Sequence, residues 1–416
     1  MRELLGKRVL IIAHGHPDFN KGGAEIAAYR MFLMLRECGI DAYFLARTQL
    51  APHGGAAFSH RGKGENEGRE ILFHTQMDDG FSYTNIKTRH LWQDFAELLQ
   101  LIKPDVVHCH HYFLMGIELF QVIRNELPKA KIVLTLHEYL AICHQHGQMI
   151  KTNGTLCYEA SPRDCHQCFN EYDPGDFLLR EHYIKQQFAH VDSFVAPSEF
   201  LANRYIEWGL AKEKIAVIEN GQYAVKHAIP SVKPQSNRVT LGYFGQLNPV
   251  KGIDILLKAL ALLPDAIREK VHLEIHGANL EHQHGEFKRR LKKLMLPVKH
   301  CVSFMGAYEP SEMSQILLHM DWVVVPSTWW ENSPMVIQEA FAAKVPLIVS
   351  NIGGMAEKVK HQHTGLQFRV ASPTALAQTI ERVVTEPELQ SQLRENITPP
   401  LTVEQSLKEH LPLYLD

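Results

Sequence analysis

The sequence predicts an α/β protein made of two doubly wound domains, and three observations carry that prediction. Short β-branched runs alternate with longer helix-periodic segments along the whole chain, which is the pattern of parallel sheets flanked by helices. A stretch around Gln222–Arg238, with Pro230, Ser231, Pro234, Ser236 and Asn237, interrupts that alternation and then lets it begin again. The chain has 416 residues, 45% of them hydrophobic and 21% charged, enough for two sizeable cores.

The elements follow in order. Val9–Ala13 reads as the first strand, and Gly23–Cys38 as a helix with Ile26, Tyr29, Leu33 and Leu35 on or near one face. Further strands are expected at Ala42–Leu45, Val106–Cys109, Ile132–Leu136, Ser193–Ala196 and Ile215–Ile218. Residues 51–90, rich in Gly, His and charge, read as a long, partly mobile loop. Beyond the linker come a strand at Val239–Phe244, a helix at Ile253–Leu263, a strand at His272–His276 and a basic helix near Glu286–Met295. Strands at Val302–Met305, Trp322–Pro326 and Pro346–Ser350, a helix at Pro334–Ala343 and a last helix at Thr402–Leu415 complete the series. The expected division is residues 1–222, a linker at 223–237, a second domain at 238–398, and a terminal helix in 399–416. Two such domains usually hold a ligand where the carboxyl ends of their strands face across a cleft.

Composition excludes several functions. The formal net charge of −3 gives no global pull toward nucleic acid. No apolar run reaches the ~20 residues that span a bilayer. The apolar start is short, β-branched and followed by His14-Gly15-His16-Pro17-Asp18, so it reads as a strand and not a leader, and the chain as cytoplasmic. No G-x-G-x-x-G follows a candidate strand and no G-x-x-x-x-G-K-[ST] occurs, which argues against dinucleotide binding and P-loop chemistry.

Three loops point to a phosphate-bearing, polyhydroxylated ligand. Gly22-Gly23, at a helix start, lets backbone N–H groups approach an anion without a Cβ in the way, although such pairs also serve plain turns. Gly245-Gln246-Leu247-Asn248-Pro249-Val250-Lys251-Gly252 sets a lysine at a strand's carboxyl end, where an ammonium can face a diphosphate or simply solvent. In Glu331-Asn332-Ser333-Pro334-Met335-Val336, Ser333 suits an N-cap and Pro334 the first helical position, with Glu339 further along the helix.

Taken together these residues resemble a family-four retaining glycosyltransferase of the GT-B fold, two Rossmann-like domains facing across a cleft. The resemblance rests on Gly22-Gly23-Ala24-Glu25, Asp105-Val106-Val107-His108-Cys109-His110, Thr135-Leu136-His137-Glu138 and the Glu331…Glu339 pair, in family order over nearly the whole chain. Pro197-Ser198-Glu199-Phe200, Asn220-Gly221 and Ser350-Asn351-Ile352-Gly353-Gly354 match as well. It implies a nucleoside-diphosphate-sugar donor, UDP- or GDP-linked, on the second domain, with Glu339 on the ribose and Glu331, Asn332, Ser333, Pro334, Met335 and Val336 around the sugar. Lys251, Gly245 and Gln246 would meet the diphosphate, with Gly22 and Gly23 closing on it and His137 reaching the sugar or phosphate. Glu331, His137 and Lys251 are the expected catalytic set, with no cofactor required and no protein nucleophile. The resemblance also implies that the terminal helix in 399–416 returns to the first domain; a simple capping helix is the other reading. The family often has Arg where Gln246 stands; Arg47 or Arg369 are candidates to supply the missing charge. The implied acceptor is a glycan or lipid-linked hydroxyl in surface polysaccharide or lipopolysaccharide assembly. A GT-B epimerase or phosphorylase, and a non-catalytic sugar-nucleotide-binding scaffold, are the alternatives.

Three features lie outside that scheme. Cys143, Cys157, Cys165 and Cys168 fall within 26 residues as C-x13-C-x7-C-x2-C, a set able to hold structural zinc with His144, His146 or His166 in reserve. Unligated thiols, labile disulfides or an iron–sulfur cluster are the other readings. His108, His110 and His111 invite a metal reading, but alternation along a strand sends neighbours to opposite faces, so a polar, acceptor-facing role for one or two of them is the expectation. The run Phe287-Lys288-Arg289-Arg290-Leu291-Lys292-Lys293-Leu294 is either a solvated face or a contact for anionic lipid at the inner side of a membrane.

Overall fold

The computed structural model describes residues 2–20, 22–49, 56–61, 64–85, 90–223 and 238–415. Contacts divide the chain into two units, Met1–Gly221 together with Leu401–Asp416, and Gln222–Pro400. Most of the expected linker, residues 224–237, lies outside the described residues.

The first unit is built on an eight-stranded sheet. Its strands are β1 (Arg8–Ala13), β2 (Asp41–Thr48), β3 (Phe58–His60), β4 (Glu70–His74), β5 (Val106–Cys109), β6 (Lys131–Thr135), β7 (Ser193–Ala196) and β8 (Ile215–Val217). They lie in the order β3-β4-β2-β1-β5-β6-β7-β8, parallel throughout except for the antiparallel β3–β4 edge. The strands are apolar on both faces, as a sheet covered by helices on both sides requires. The helix Gly23–Glu37 buries Ala28, Met31, Phe32 and Leu35 on that sheet. The last helix, Val403–Leu415, adds Leu407 and Tyr414 to the same core.

Within residues 51–90, expected as a long loop, the described residues hold two strands. These are β3 and β4, and Glu70 on β4 is buried, accepting from Tyr29 Oη at 3.1 Å and bonded to His16 Nε2 at 3.1 Å. The short apolar run Ile71-Leu72-Phe73 of β4 was hidden among polar and glycine-rich neighbours, and its one charged residue is satisfied inside the fold.

The second unit has β9 (Val239–Phe244), β10 (Val271–His276), β11 (Val302–Gly306), β12 (Trp322–Val325), β13 (Leu347–Ser350) and β14 (Gly365–Phe368). Their order, β11-β10-β9-β12-β13-β14, is wholly parallel. Leu241, Tyr243, Leu273, Trp322 and Ile348 form its core with Leu256, Leu257 and Leu260 of the helix Ile253–Leu262. In each unit the strand order reverses at one place, between β1 and β5 and between β9 and β12. That is where a doubly wound sheet leaves a crevice at its carboxyl edge. The residues after those four strands are therefore the first place to look for a site.

Among the described residues no helix is long and apolar enough to cross a membrane. The basic helix Gly285–Met295 buries Phe287 and Leu291 and exposes Arg289, Arg290, Lys292 and Lys293.

Candidate functional site

In the second unit the loops after β9 and β12 are laced together. Asn248 accepts the Lys251 N–H at 3.0 Å and so closes the short turn Pro249–Lys251. Gly252 then turns the chain into the next helix at φ +71°, and a Cβ there would come within 1.9 Å of the Pro326 carbonyl oxygen. Only glycine meets both demands. From the other loop the Thr328 N–H donates to the Val250 carbonyl at 2.8 Å.

Glu331 is buried at the focus of these loops. Its Oε1 accepts from Lys251 Nζ at 2.6 Å, Ser327 Oγ at 2.8 Å and Trp329 Nε1 at 2.9 Å. A carboxylate removed from water needs such charge-assisted bonds to stay ionised. The Lys251 ammonium also lies 5.4 Å from the Trp329 ring centroid. Tyr243, Phe244, Lys251, Ser327, Glu331 and Val336 line a pocket of about 260 Å³ there.

The Glu331 loop is braced from behind by the helix Gly353–Lys358 that follows β13. Gly354 donates its N–H to the Glu331 carbonyl at 2.7 Å, and a Cβ on Gly354 would fall 1.5 Å from the Asn332 carbonyl oxygen. Pro334, not Ser333, caps the following helix, which runs Met335–Ala342. Ser333 Oγ instead accepts from Gln338 Nε2 at 3.1 Å, so the expected serine cap is corrected to a side-chain tie one turn along. Glu339 lies on this helix, half-buried; its charge reaches Tyr308, whose pKa burial already pushes up. Tyr308 meets Phe244 and His276 edge-on, and those two rings stack 4.9 Å apart. Gly245 donates to the His276 carbonyl at 3.1 Å. Gln246 is exposed, and Arg369 lies past the edge strand β14 with Ser372 as its partner.

In the first unit, His14 follows β1, His110 and His111 follow β5, and His137 and Glu138 follow β6. Gly22 caps the helix Gly23–Glu37, whose first turn carries Glu25. The Glu25 carboxylate folds back over that helix end, so that a Cβ on Gly22 would sit 2.3 Å from Oε2, and it takes His14 Nε2 at 3.1 Å. An anion arriving at Gly22-Gly23 therefore meets a carboxylate first. Beside it, His111 Nε2 pairs with Glu138 Oε2 at 3.2 Å, and the His14 and His111 ring centroids are 4.3 Å apart.

Burial holds His14 down, and the proximity of His111 adds to it, so His14 is a neutral N–H donor to Glu25. Burial opposes the Glu25 carboxylate, but the His14 hydrogen bond and the Glu25 amide outweigh it. Glu138 is likewise held low by His111 against the cost of burial. Burial takes His137 down to about 4. Its Nε2 bonds His110 Nδ1 at 3.1 Å. His108 goes elsewhere, between Thr135 Oγ1 at 2.7 Å and Tyr414 Oη at 2.6 Å. The three histidines thus take three different partners. Among the described residues no group of three or more His, Cys, Asp or Glu side chains is gathered to hold a metal. Arg47 is buried on the Thr75 carbonyl at 2.8 Å.

His14, Glu25 and Glu138 were not singled out as site residues from the sequence, although Glu25 and Glu138 stand inside two of its motifs; His111 was among the three histidines expected to give one or two acceptor-facing side chains. The available signal was position: His14 falls just after β1, Glu138 just after β6 next to the reversal point, and Glu25 in the first turn of the helix that follows β1.

Comparison with known proteins identifies the class as a two-domain sugar-transfer enzyme. Residues 21–222 match Glycosyltransferase Family 4, and residues 226–398 match Glycosyl transferases group 1. The chain belongs to the family-four glycosyltransferases of the GT-B fold. It is 25% identical over 332 residues to the putative glycosyltransferase YtcC of Bacillus subtilis, covering 77% of this chain and 74% of that one. It is 24% identical over 396 residues to glycogen synthase of Mycobacterium tuberculosis, covering 91% and 86%. In fold it is similar to Anabaena Alr3699/HepE in complex with UDP, at TM-score 0.68 and 18% identity, covering 98% of this chain and 99% of that one.

Proposed function

We propose that this glycosyltransferase moves a sugar from a nucleoside-diphosphate donor to a hydroxyl of a glycan or lipid-linked acceptor, with retention at the anomeric carbon. The observation that carries the reading is the buried Glu331 held by Lys251 at the β9/β12 reversal. Lys251 is the cation a departing diphosphate needs, and Glu331 remains fixed by Ser327 and Trp329 when Lys251 turns to phosphate. Fixed donors of this kind lower the barrier because they are aimed before charge develops.

In the proposed step the bond from the anomeric carbon to the phosphate oxygen breaks, and a bond to the acceptor oxygen forms on the same face. The acceptor proton passes to the leaving phosphate, so no side chain acts as nucleophile. Glu339 receives the ribose hydroxyls, and the Phe244, His276 and Tyr308 rings offer the base an apolar edge. Gly245, Gln246, Asn332, Ser333, Pro334, Met335 and Val336 supply backbone and side-chain contacts to the donor. Gly22-Gly23 and His137 serve the reacting end, which requires the Glu25 carboxylate to move aside. The solved structure with UDP favours a uridine nucleotide as the first donor to try. Relatives include a lipopolysaccharide N-acetylglucosaminyltransferase, 30% identical over 190 residues, which favours a surface-glycan acceptor.

A thermal-shift panel with UDP, GDP, ADP and NAD tests the donor class. A nucleotide at about 100 times its Kd adds roughly 2.7 kcal/mol to stability. A shift with one nucleoside diphosphate is expected; a shift with NAD alone, or with none, contradicts the reading. NMR of the product's anomeric proton then decides retention against inversion.

A further inference from the structure

The four clustered cysteines play no part in that scheme, yet the fold brings all of them to one place. Cys143, Cys157, Cys165 and Cys168 line a single solvent-open pocket of about 420 Å³, walled by Met149, Ile150, Phe169 and Phe177. They arrive there from three separate pieces of chain. Cys143 opens a tight loop in which His146, Gly147 and Met149 all take positive φ, at +49°, +65° and +49°. That winding turns the backbone N–H groups of Gln145 and Met149 onto the Cys143 sulfur. A hairpin closed by the Ile150–Leu156 bridge then returns the chain, so that the Cys157 N–H donates to the Met149 carbonyl at 2.8 Å. Cys165 and Cys168 stand three residues apart on the helix Pro162–Cys168, capped by Ser161.

None of the four is in a disulfide. Nor do three of them touch closely enough to hold an ion as they stand. They surround the space and do not yet fill it.

We propose that this pocket is a structural zinc site, with Cys143, Cys157, Cys165 and Cys168 as its four ligands. Four thiols lose four protons, four Zn–S bonds of about 2.3 Å form, and side-chain rotation draws the sulfurs in from the pocket wall. The spacing suits this: one knuckle loop and one i, i+3 helical pair bracket a hairpin cysteine. The chemistry of the wall suits it too. Met149, Ile150, Phe169 and Phe177 give the four cysteines an apolar surround, which limits water's access to a metal held there. The N–H groups on the Cys143 sulfur then stabilise a metal-bound thiolate. Lys151, which lines the pocket and faces Cys157, offsets part of the charge left on the cage.

The consequence reaches the first unit's polar cluster. Gly147 donates to the Cys143 carbonyl at 3.1 Å and accepts from the Tyr139 N–H at 3.2 Å. A Cβ at Gly147 would lie 2.9 Å from Glu138 Cγ and 2.8 Å from the Leu140 nitrogen. A metal that pins this loop therefore pins the chain on which Glu138 is presented. The buried Arg180, bonded to the Leu140 and Ala141 carbonyls, holds the same segment from its other side.

The test is metal analysis of the full chain purified under reducing conditions without chelator. One zinc per chain is expected, released by a thiol-specific mercurial, and Co²⁺ in its place should give the visible and charge-transfer bands of a tetrahedral tetrathiolate. Cys165→Ser and Cys168→Ser should each lower retained zinc at least tenfold, while Cys38→Ser, outside the cluster, should retain it. Where a cluster variant fails to fold, the Co²⁺ spectrum of the unaltered chain still decides. The proposal is overturned if the folded chain takes up no zinc and all four thiols react freely. Iron with acid-labile sulfide, or a Cys–Cys linkage among the four by mass spectrometry, overturns it equally.

Discussion

The two reversal points meet the same problem in different ways. Each has carboxylates taken out of water at the carboxyl edge of a parallel sheet. The second unit holds Glu331 with a cation, Lys251, so the pair is neutral overall. The first unit holds Glu25 and Glu138 with imidazoles, His14 and His111, and burial keeps His14 neutral. The neutral His14 leaves the Glu25 charge in place, so that helix end repels a dianion and suits hydroxyls. The difference supports the proposed placement of the diphosphate on the second unit and of the hydroxyl-bearing partner on the first.

The largest effect expected is on chemistry. Glu331→Gln keeps shape and removes charge; kcat should fall about 10²–10³-fold while nucleotide binding persists, since Lys251 is then free to meet phosphate. Steady-state kinetics alongside calorimetric titration separates the two, and an unaltered kcat would place the catalytic carboxylate elsewhere. Next in size is the brace behind it. Gly354→Ala drives a methyl into the Asn332 carbonyl and should cost roughly 2–4 kcal/mol, read from the denaturant midpoint. A midpoint unchanged within error would mean that the loop yields easily and is not preformed.

Acid should separate the two regions. Burial holds His137 and His410 at about 4, against ~6.5 in the unfolded chain. The unfolded chain therefore binds more protons between those values, and stability falls as pH drops from 6.5 toward 4. Glu25 and Glu138, also held low, lose their contribution in the same direction below that. Hydrogen exchange followed by region should show β1, β5, β6 and the last helix losing protection ahead of β9 and β12 at pH 5. Even loss across both units would remove the contrast. The smallest effect is at Gln246, which is exposed. Gln246→Arg adds a second cation beside Lys251 and should tighten nucleoside diphosphate binding about 3–5-fold, as befits a solvated charge pair.

Much of this was legible in the residues. Strands such as Val106–Cys109, Ser193–Ala196 and Val239–Phe244 stand at their expected bounds because short, mostly apolar runs bounded by polar residues suit a buried parallel sheet. The Glu331 loop was visible because glycine, proline and carboxylate have positional meaning there. β4 was not, because its short apolar run stands among polar and glycine-rich neighbours, and its Glu70 is satisfied by His16 and Tyr29, partners far away in sequence. The Lys251–Glu331 pair spans 80 residues and the His111–Glu138 pair 27; local pattern cannot announce either, and only strand order brings them together.

The most direct test of the account is calorimetric titration of the nucleoside diphosphate found by thermal shift into the unaltered chain and into Lys251→Met. The account predicts that the variant, still folded, binds about 10–100-fold more weakly, because the one cation paired with Glu331 is gone. Equal affinity in the two would show that the diphosphate is held elsewhere, and that the charge contrast between the two reversal points does not decide where the donor binds.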